Sequence, residues 1–142
     1  MPLVSKTQPP SFDHFIAFLK QNPSTDFSAI NWDDPQIDST LNWKGLTKYK
    51  DDLLKLLKAY QRLRQLLPPE NHELILSLLK ENINSAIQIA SIPKANFFTA
   101  FSDLFGHDNQ LMESCYSKAT AIRTRLLLQQ MQMMQSNNTG LL

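Results

Sequence analysis

Seven apolar residues between positions 46 and 67 recur at steps of three and four, the period of an amphipathic helix. They are Tyr49, Leu53, Leu56, Leu57, Tyr60, Leu63 and Leu67. At about 100° per residue they fill one stripe, so this segment has one face that needs a partner. We therefore predict a long helix at about 47–67. Thr47 is its candidate N-cap, and Pro68-Pro69 ends it because proline lacks the amide proton.

The last strongly patterned segment predicts a second long helix at about 109–135. Its three-four stripe consists of Met112, Cys115, Ala119, Ile122, Leu126, Gln129 and Met133. At 1.5 Å per residue the helix would be about 40 Å long, which is more than a small domain needs. We expect its Met- and Gln-rich end to extend beyond the core and pair with another helix, with fraying as the alternative. The candidate helix-pairing residues are Leu126, Leu127, Met131, Met133 and Met134.

The remaining periodicity predicts short helices between these two and one before them. A short helix follows Ser11, and a medium helix follows Asn71. Two more short helices follow Ser85 and Pro93, and Gly106 ends the second of them. The fold class is therefore all-α, a compact bundle of five to seven helices forming one domain over 11–135. Residues 1–10 are expected to be a flexible leader. Residues 136–142 are expected to be a frayed tail that resembles a cut in a longer chain.

Composition supports the helical prediction. The chain has 142 residues with three glycines and a single valine, Val4, whereas Leu, Lys, Gln, Ala and Met dominate the periodic segments. That usage favours helix over sheet. The N-terminus lacks the apolar run of a signal peptide, and no stretch is apolar enough for a membrane span.

Charge is unevenly distributed although the formal net charge is +1. Residues 13–38 carry five aspartates and one lysine, and residues 44–64 carry seven Lys and Arg against two aspartates. We expect the two regions to neutralise each other, within or between chains. The near-zero net charge gives no global field that would attract nucleic acid, so we predict no nucleic-acid partner.

Residues typical of catalysis are sparse. His14, His72 and His107 lie in polar sequence without a second ligand at metal-binding spacing. Cys115 occupies a core-facing step of the last helix, and three scattered glycines cannot form a phosphate loop. We predict no catalytic residue, no cofactor and no metal site, and therefore a non-enzymatic protein.

One surface has the character of a binding face. Lys48, Lys55, Lys58 and Arg62 lie opposite the apolar stripe of the first long helix. Such a basic amphipathic helix suits a peripheral membrane or receptor-binding module, whereas a core helix with a solvated basic face has the same pattern. We favour the core helix and keep membrane contact as the alternative.

Several short motifs follow one another between Phe12 and Leu128. They are Phe18 to Pro23 followed by Asp26-Phe27; Leu54 to Pro68; Ser85-Ala86, Ile89-Ala90, Pro93 and Phe97; and Tyr116 with Ala119. In this order they resemble the helical region of the large A subunits of Tc toxin complexes and related neuraminidase-like toxin proteins. The sequence Phe105-Gly106-His107 departs from the paired glycine expected there.

The resemblance implies a structural or interaction module of a toxin-delivery protein. In that family the A subunit is a multimeric, mostly helical shell that binds host cells and forms a channel. The implied partners are other parts of a larger toxin-like chain or neighbouring subunits. The implied location is outside the producing cell, reached without a visible signal peptide, or the cytoplasm before release. The resemblance carries no catalytic residue onto this stretch.

Overall fold

A computed structural model of the chain describes residues 11–140. These residues contain no strand, so the all-α prediction is confirmed. The α-helices are α1 (Phe12–Gln21), α2 (Lys50–Arg64), α3 (His72–Lys80), α4 (Ala86–Ala90), α5 (Lys94–Phe101) and α6 (Asn109–Gly140). Single turns of 3₁₀-helix occur at Ile37–Thr40, Thr47–Tyr49 and Pro69–Asn71. The predicted leader at 1–10 lies outside the described residues.

The chain forms two compact units, one ending at Asn84 and the other beginning at Ser85. The single domain predicted for 11–135 stays a prediction. In the first unit α1 and α3 both pack on α2. Its core consists of side chains that are fully buried, among them Phe15, Phe18, Leu53, Leu57, Leu63, Ile75, Leu78 and Leu79.

The helix α2 is shorter at both ends than the predicted 47–67. A 3₁₀ turn occupies Thr47–Tyr49, and no side chain caps α2, so the predicted cap by Thr47 is wrong. The α-helix ends at Arg64, because the ring of Pro68 would collide with the carbonyl four residues earlier. A guanidinium nitrogen of Arg64 donates to the Leu67 carbonyl at 3.2 Å, in the turn that follows the helix.

Two amide side chains hold the irregular segment between α1 and α2. The Asn22 side chain donates to the carbonyls of Phe18 (2.9 Å) and Asn42 (3.1 Å) and accepts from the Asn42 amide at 2.7 Å. The Gln61 side chain on α2 donates to the carbonyls of Phe27 and Ile30. These bonds supply partners for backbone groups that no helix or strand satisfies.

The second unit is built from α4 and α5 packed against α6. Phe97 is its fully buried centre, and the Tyr116 hydroxyl donates to the Ile92 carbonyl at 2.6 Å. Side chains cap the starts of α4 and α6, since the Ser85 hydroxyl accepts from the Gln88 amide and the Asp108 carboxylate accepts from the Leu111 amide. The helix α5 ends at Phe101, so the prediction that Gly106 ends it is wrong. Gly106 instead lies in the following turn in the left-handed conformation (φ +63°), where its amide donates to the Asp103 carbonyl.

The helix α6 is longer than predicted, because it continues to Gly140 rather than to about 135. Within residues 109–135 the packed side chains lie in the first part of the helix. Met112, Cys115 and Ala119 are buried and Ile122 is half-buried, whereas every side chain from Arg123 to Gln135 is exposed. The prediction that the end of this helix extends beyond the core of its unit is therefore confirmed for residues 123–135.

Candidate functional site

The four candidate surface-binding residues, Lys48, Lys55, Lys58 and Arg62, are all exposed on α2 or on the 3₁₀ turn before it. Three of them line two clefts of the first unit. Lys55 and Arg62 line one cleft, Lys58 lines another, and Lys48 lines neither. The predicted basic face is therefore accessible but does not form one continuous anion-binding pocket.

The cleft that contains Lys55 and Arg62 has a volume of about 340 Å³ and lies between α2 and the turn after α3. The Arg62 Nε donates to the Asn84 carbonyl at 3.1 Å, which fixes the guanidinium. The carboxylate of Asp52 shares the cleft and offsets part of its positive charge. The floor is apolar and is formed by Leu56, Ala59 and Leu79.

The cleft that contains Lys58 has a volume of about 250 Å³ and is predominantly acidic. Its other charged residues are Asp33, Asp34 and Asp38, and Lys50 pairs with Asp38. The acidic and basic regions of the sequence thus meet within the first unit, as their opposite charges predicted. Carboxylates outnumber cations here, so the cleft repels phosphate and membrane headgroups of negative charge.

A third cavity of about 470 Å³ is a groove between α1 and α3. Phe12, Ile16, Leu19 and Leu76 supply its apolar lining, and the polar lining consists of Lys20, His72, Glu73, Ser77 and Lys80. His72 also contacts Tyr60, whose hydroxyl lies 2.7 Å from its Nδ1.

An arrangement that sequence reasoning missed joins Ser102, Asp103 and His107 after α5. The Ser102 hydroxyl lies 2.9 Å from Nδ1 of His107, and Nε2 of the same ring lies 3.2 Å from an Asp103 carboxylate oxygen. These residue types form nucleophilic triads elsewhere, but a triad acts in a cleft that excludes water. The side chains of His107 and Asp103 are 72% and 93% exposed, and none of the three residues lines a cavity described above. All three residues lie in the turn that follows α5.

Cys115 is fully buried in the second unit, as the pattern of α6 predicted. Burial raises the pKa of its thiol to about 12, and the nearby Lys118 only partly opposes this. The reactive thiolate is therefore scarce at neutral pH.

The candidate helix-pairing residues lie on the unpacked half of α6. Leu126, Leu127, Met131, Met133 and Met134 are between 40% and 67% exposed, and we call these five residues the distal surface. Leu128 is 52% exposed and lies about 160° around the helix from Leu126. Contiguous exposed apolar side chains of this kind mark interaction surfaces.

The charge of this half of α6 is of one sign. Arg123 and Arg125 are exposed on it, and no acidic residue occurs between positions 114 and 140. The remaining polar side chains facing solvent are mainly glutamines, whose amides both donate and accept hydrogen bonds. The surface therefore offers apolar contact flanked by guanidinium and amide groups.

Comparison with known proteins identifies no relative. No protein-family profile matches the chain, and no curated protein or solved structure matches it either. Among residues 11–140 no helix has both the length and the apolar character needed to cross a membrane. Within the same residues no three His, Cys, Asp or Glu side chains are grouped so that they could hold a metal ion.

Proposed function

We propose that the chain is a non-enzymatic helical module that acts by protein–protein packing, through the distal surface of α6, within a larger toxin-like assembly. The observation that carries the proposal is the continuation of α6 for more than three turns beyond the last half-buried residue, Ile122, with Leu126 to Met134 exposed.

Such a helix gains stability from a partner. An isolated helical segment of this length is marginal in water, because most helix stability in proteins comes from packing an apolar face. Each leucine or methionine that becomes fully buried contributes about 1.5–3 kcal/mol. The exposed distal surface therefore supplies the driving force for contact with another helix.

The toxin-like context of the proposal is supported by the ordered motifs quoted above. It implies that the partners are other parts of a larger chain or neighbouring subunits. It also implies a location outside the producing cell, or in the cytoplasm before release.

Vesicle flotation tests helix packing against membrane binding. The full chain is mixed with vesicles of neutral lipid and with vesicles containing anionic lipid, and we expect it to remain unbound in both. The variant Leu126→Gln with Met133→Gln and the matched variant Leu128→Gln should behave alike. If the unmodified chain floats and the double variant does not, the distal surface is a membrane-binding face and the proposal is wrong.

The alternative is a membrane or receptor-binding module that uses the basic residues of α2, and their exposure is the observation in its favour. The same assay examines it with Lys55→Glu and Arg62→Glu. Flotation on anionic vesicles that this pair of changes removes would support the basic helix. Asp52 shares the cleft of Lys55 and Arg62, and three aspartates share the cleft of Lys58, which argues against that result.

A further inference from the structure

The groove between α1 and α3 is a concave apolar surface of the first unit. Its volume of about 470 Å³ lies within the range of roughly 300–1,000 Å³ that small-molecule sites occupy. Ile16 and Leu19 on α1 and Leu76 on α3 line it, and all three side chains are only half-buried. Phe12 completes the apolar lining. The packing of α1 and α3 on α2 thus leaves apolar side chains open to a ligand.

The dimensions of the groove suit an extended chain rather than a helix. Its lining runs from Phe12 to Lys20 on α1 and from His72 to Lys80 on α3, which is about 12 Å at 1.5 Å per residue. A helix of that length, about 10 Å wide with its side chains, fills roughly 900 Å³, or about twice the volume of the groove. A hydrocarbon chain of the same length is far thinner. The groove can therefore enclose such a chain, whereas a helix would only rest on its rim.

The charge at the groove selects the sign of the ligand. Lys20 and Lys80 are exposed there, and Glu73 is the one acidic residue of the lining. Within residues 11–140 neither lysine forms an ion pair with a carboxylate. The Ser77 hydroxyl adds a hydrogen-bond donor to the lining. Two ammonium groups against one carboxylate favour an anion.

We propose that this groove binds an amphiphilic anion, a hydrocarbon chain of medium length that ends in a carboxylate or a phosphate. The chain lies against the apolar lining, and the anionic end meets Lys20 or Lys80. Burial of the chain supplies most of the affinity, because water and salt screen the exposed charges. A free fatty acid and a membrane lipid both offer this chemistry. The lining contains no residue of α6, so the inference goes beyond the proposed function.

Titration with sodium decanoate tests the site. The full chain is titrated below the concentration at which decanoate forms micelles, and binding is followed by amide NMR shifts. Decanol has the same chain without the charge, decyltrimethylammonium has it with the opposite charge, and acetate has the carboxylate without the chain. We expect decanoate to bind most tightly, decanol more weakly and the other two least. The shifted resonances should belong to α1 and α3.

A pair of lysine variants tests the contribution of charge. Lys20→Gln with Lys80→Gln should weaken decanoate binding by about fivefold, the upper end for exposed ion pairs, and should leave decanol binding unchanged. Lys44→Gln with Lys118→Gln is the matched control, because it changes the net charge equally and neither residue lines the groove. This control should bind decanoate as the unmodified chain does.

A substitution in the apolar lining tests the contribution of the chain. Leu76→Asn should weaken the binding of decanoate and decanol alike, by about tenfold or more. Leu128→Asn is the matched control, because Leu128 is exposed on α6 and lies outside the groove. Circular dichroism checks that each variant keeps its helical content, and the exposed lysine pair tests the inference even if Leu76→Asn disturbs the fold.

Three results would overturn the inference. The first is no binding of decanoate, and the second is equal affinity for decanoate and decyltrimethylammonium with shifts spread over both units, as a nonspecific detergent gives. The third uses a helical peptide with glutamates beside a leucine face. If this peptide shifts the resonances of α1 and α3 and decanoate does not, the groove binds protein.

The vesicle assay separates the two sources of the anion. Decanoate binding without flotation would assign the site to a free acid, and flotation on anionic vesicles that Leu76→Asn abolishes would assign it to a membrane lipid. Neither result decides the proposed function, because that depends on the distal surface and is tested by the variant of Leu126 and Met133.

Discussion

The hydroxyl of Tyr60 on α2 lies 2.7 Å from Nδ1 of His72, the first residue of α3. The two rings also meet edge to face, with centroids 5.6 Å apart. Tyr60 is buried as a whole, and the bond to His72 is partly shielded from solvent. The contact thus fixes the angle at which the chain turns from α2 through the two prolines into α3.

Replacing Tyr60 with phenylalanine should lower the free energy of unfolding by about 1 kcal/mol, the usual net value of one hydrogen bond. Urea denaturation followed by circular dichroism measures the change. The matched control is Tyr49→Phe, because the Tyr49 ring stacks on His14 without using its hydroxyl in that contact. Equal losses in both variants would show that the bond between Tyr60 and His72 contributes nothing specific.

The same tyrosine is expected to lower the free energy of unfolding at alkaline pH. Burial raises the pKa of Tyr60 above its ordinary value, the nearby Asp26 carboxylate adds to the effect, and Arg64 opposes it. The folded state then holds the proton more tightly than the unfolded state. The stabilisation is complete below about pH 10, the unfolded pKa, and is lost as the pH rises through the folded pKa. Tyr60→Phe should remove this part of the slope in denaturation experiments at increasing pH.

Cys115 should be unreactive in the folded chain. Its thiol is fully buried and its pKa is raised to about 12, chiefly by that burial. A thiol reagent at neutral pH should therefore label it only as fast as the second unit opens, and urea should accelerate labelling strongly. Labelling at the rate of a free thiol without denaturant would contradict the burial of this side of α6.

The thiol also predicts a loss of stability at high pH. Because the folded pKa lies above the unfolded one, stability is intact below about pH 9 and falls by up to about 1.4 kcal/mol per pH unit as the pH rises toward 12. Cys115→Ala should weaken this slope while lowering stability at neutral pH through lost packing. An unchanged slope in that variant would assign the alkaline loss to other groups.

Helical periodicity predicted the parts of this chain in which one face meets a core. The stripe of α2 and the buried half of α6 both follow steps of three and four, so apolar spacing was sufficient to find them. The ends of α2 were predicted less well, because Thr47 has the residue type of a cap but lies in a 3₁₀ turn. Capping depends on backbone geometry that residue type alone does not specify.

The polar contacts of the fold were missed for a related reason. Asn22 and Gln61 donate hydrogen bonds to backbone carbonyls in and beside the segment between α1 and α2. Most of these carbonyls lie 20 to 34 residues away along the chain, and one of them, Phe18, lies on the helix that Asn22 ends. No local pattern signals such long-range bonds. The distal surface, in contrast, was found because its apolar run outlasts the length of helix that a small unit can bury.

Asn22 should be one of the least replaceable polar residues in the first unit. It is buried, and its side chain takes part in three hydrogen bonds to backbone groups of Phe18 and Asn42. Asn22→Ala leaves those groups without partners and should cost about 2–3 kcal/mol in urea denaturation. Asn31→Ala, which removes one exposed bond to the Asp33 amide, should cost far less. Similar costs for the two variants would contradict the role given to Asn22.

Asp108 should anchor the start of α6. Its carboxylate accepts from the Leu111 amide at 3.0 Å and lies where the helix dipole favours negative charge. Asp108→Ala should lower the stability of the chain by about 1 kcal/mol in urea denaturation. Glu113→Gln is the matched control, because it removes an acid one turn later whose pair with Lys94 is exposed and contributes about 0–1 kcal/mol. If the control variant loses more stability than Asp108→Ala, the exposed ion pair rather than the cap stabilises the beginning of this helix.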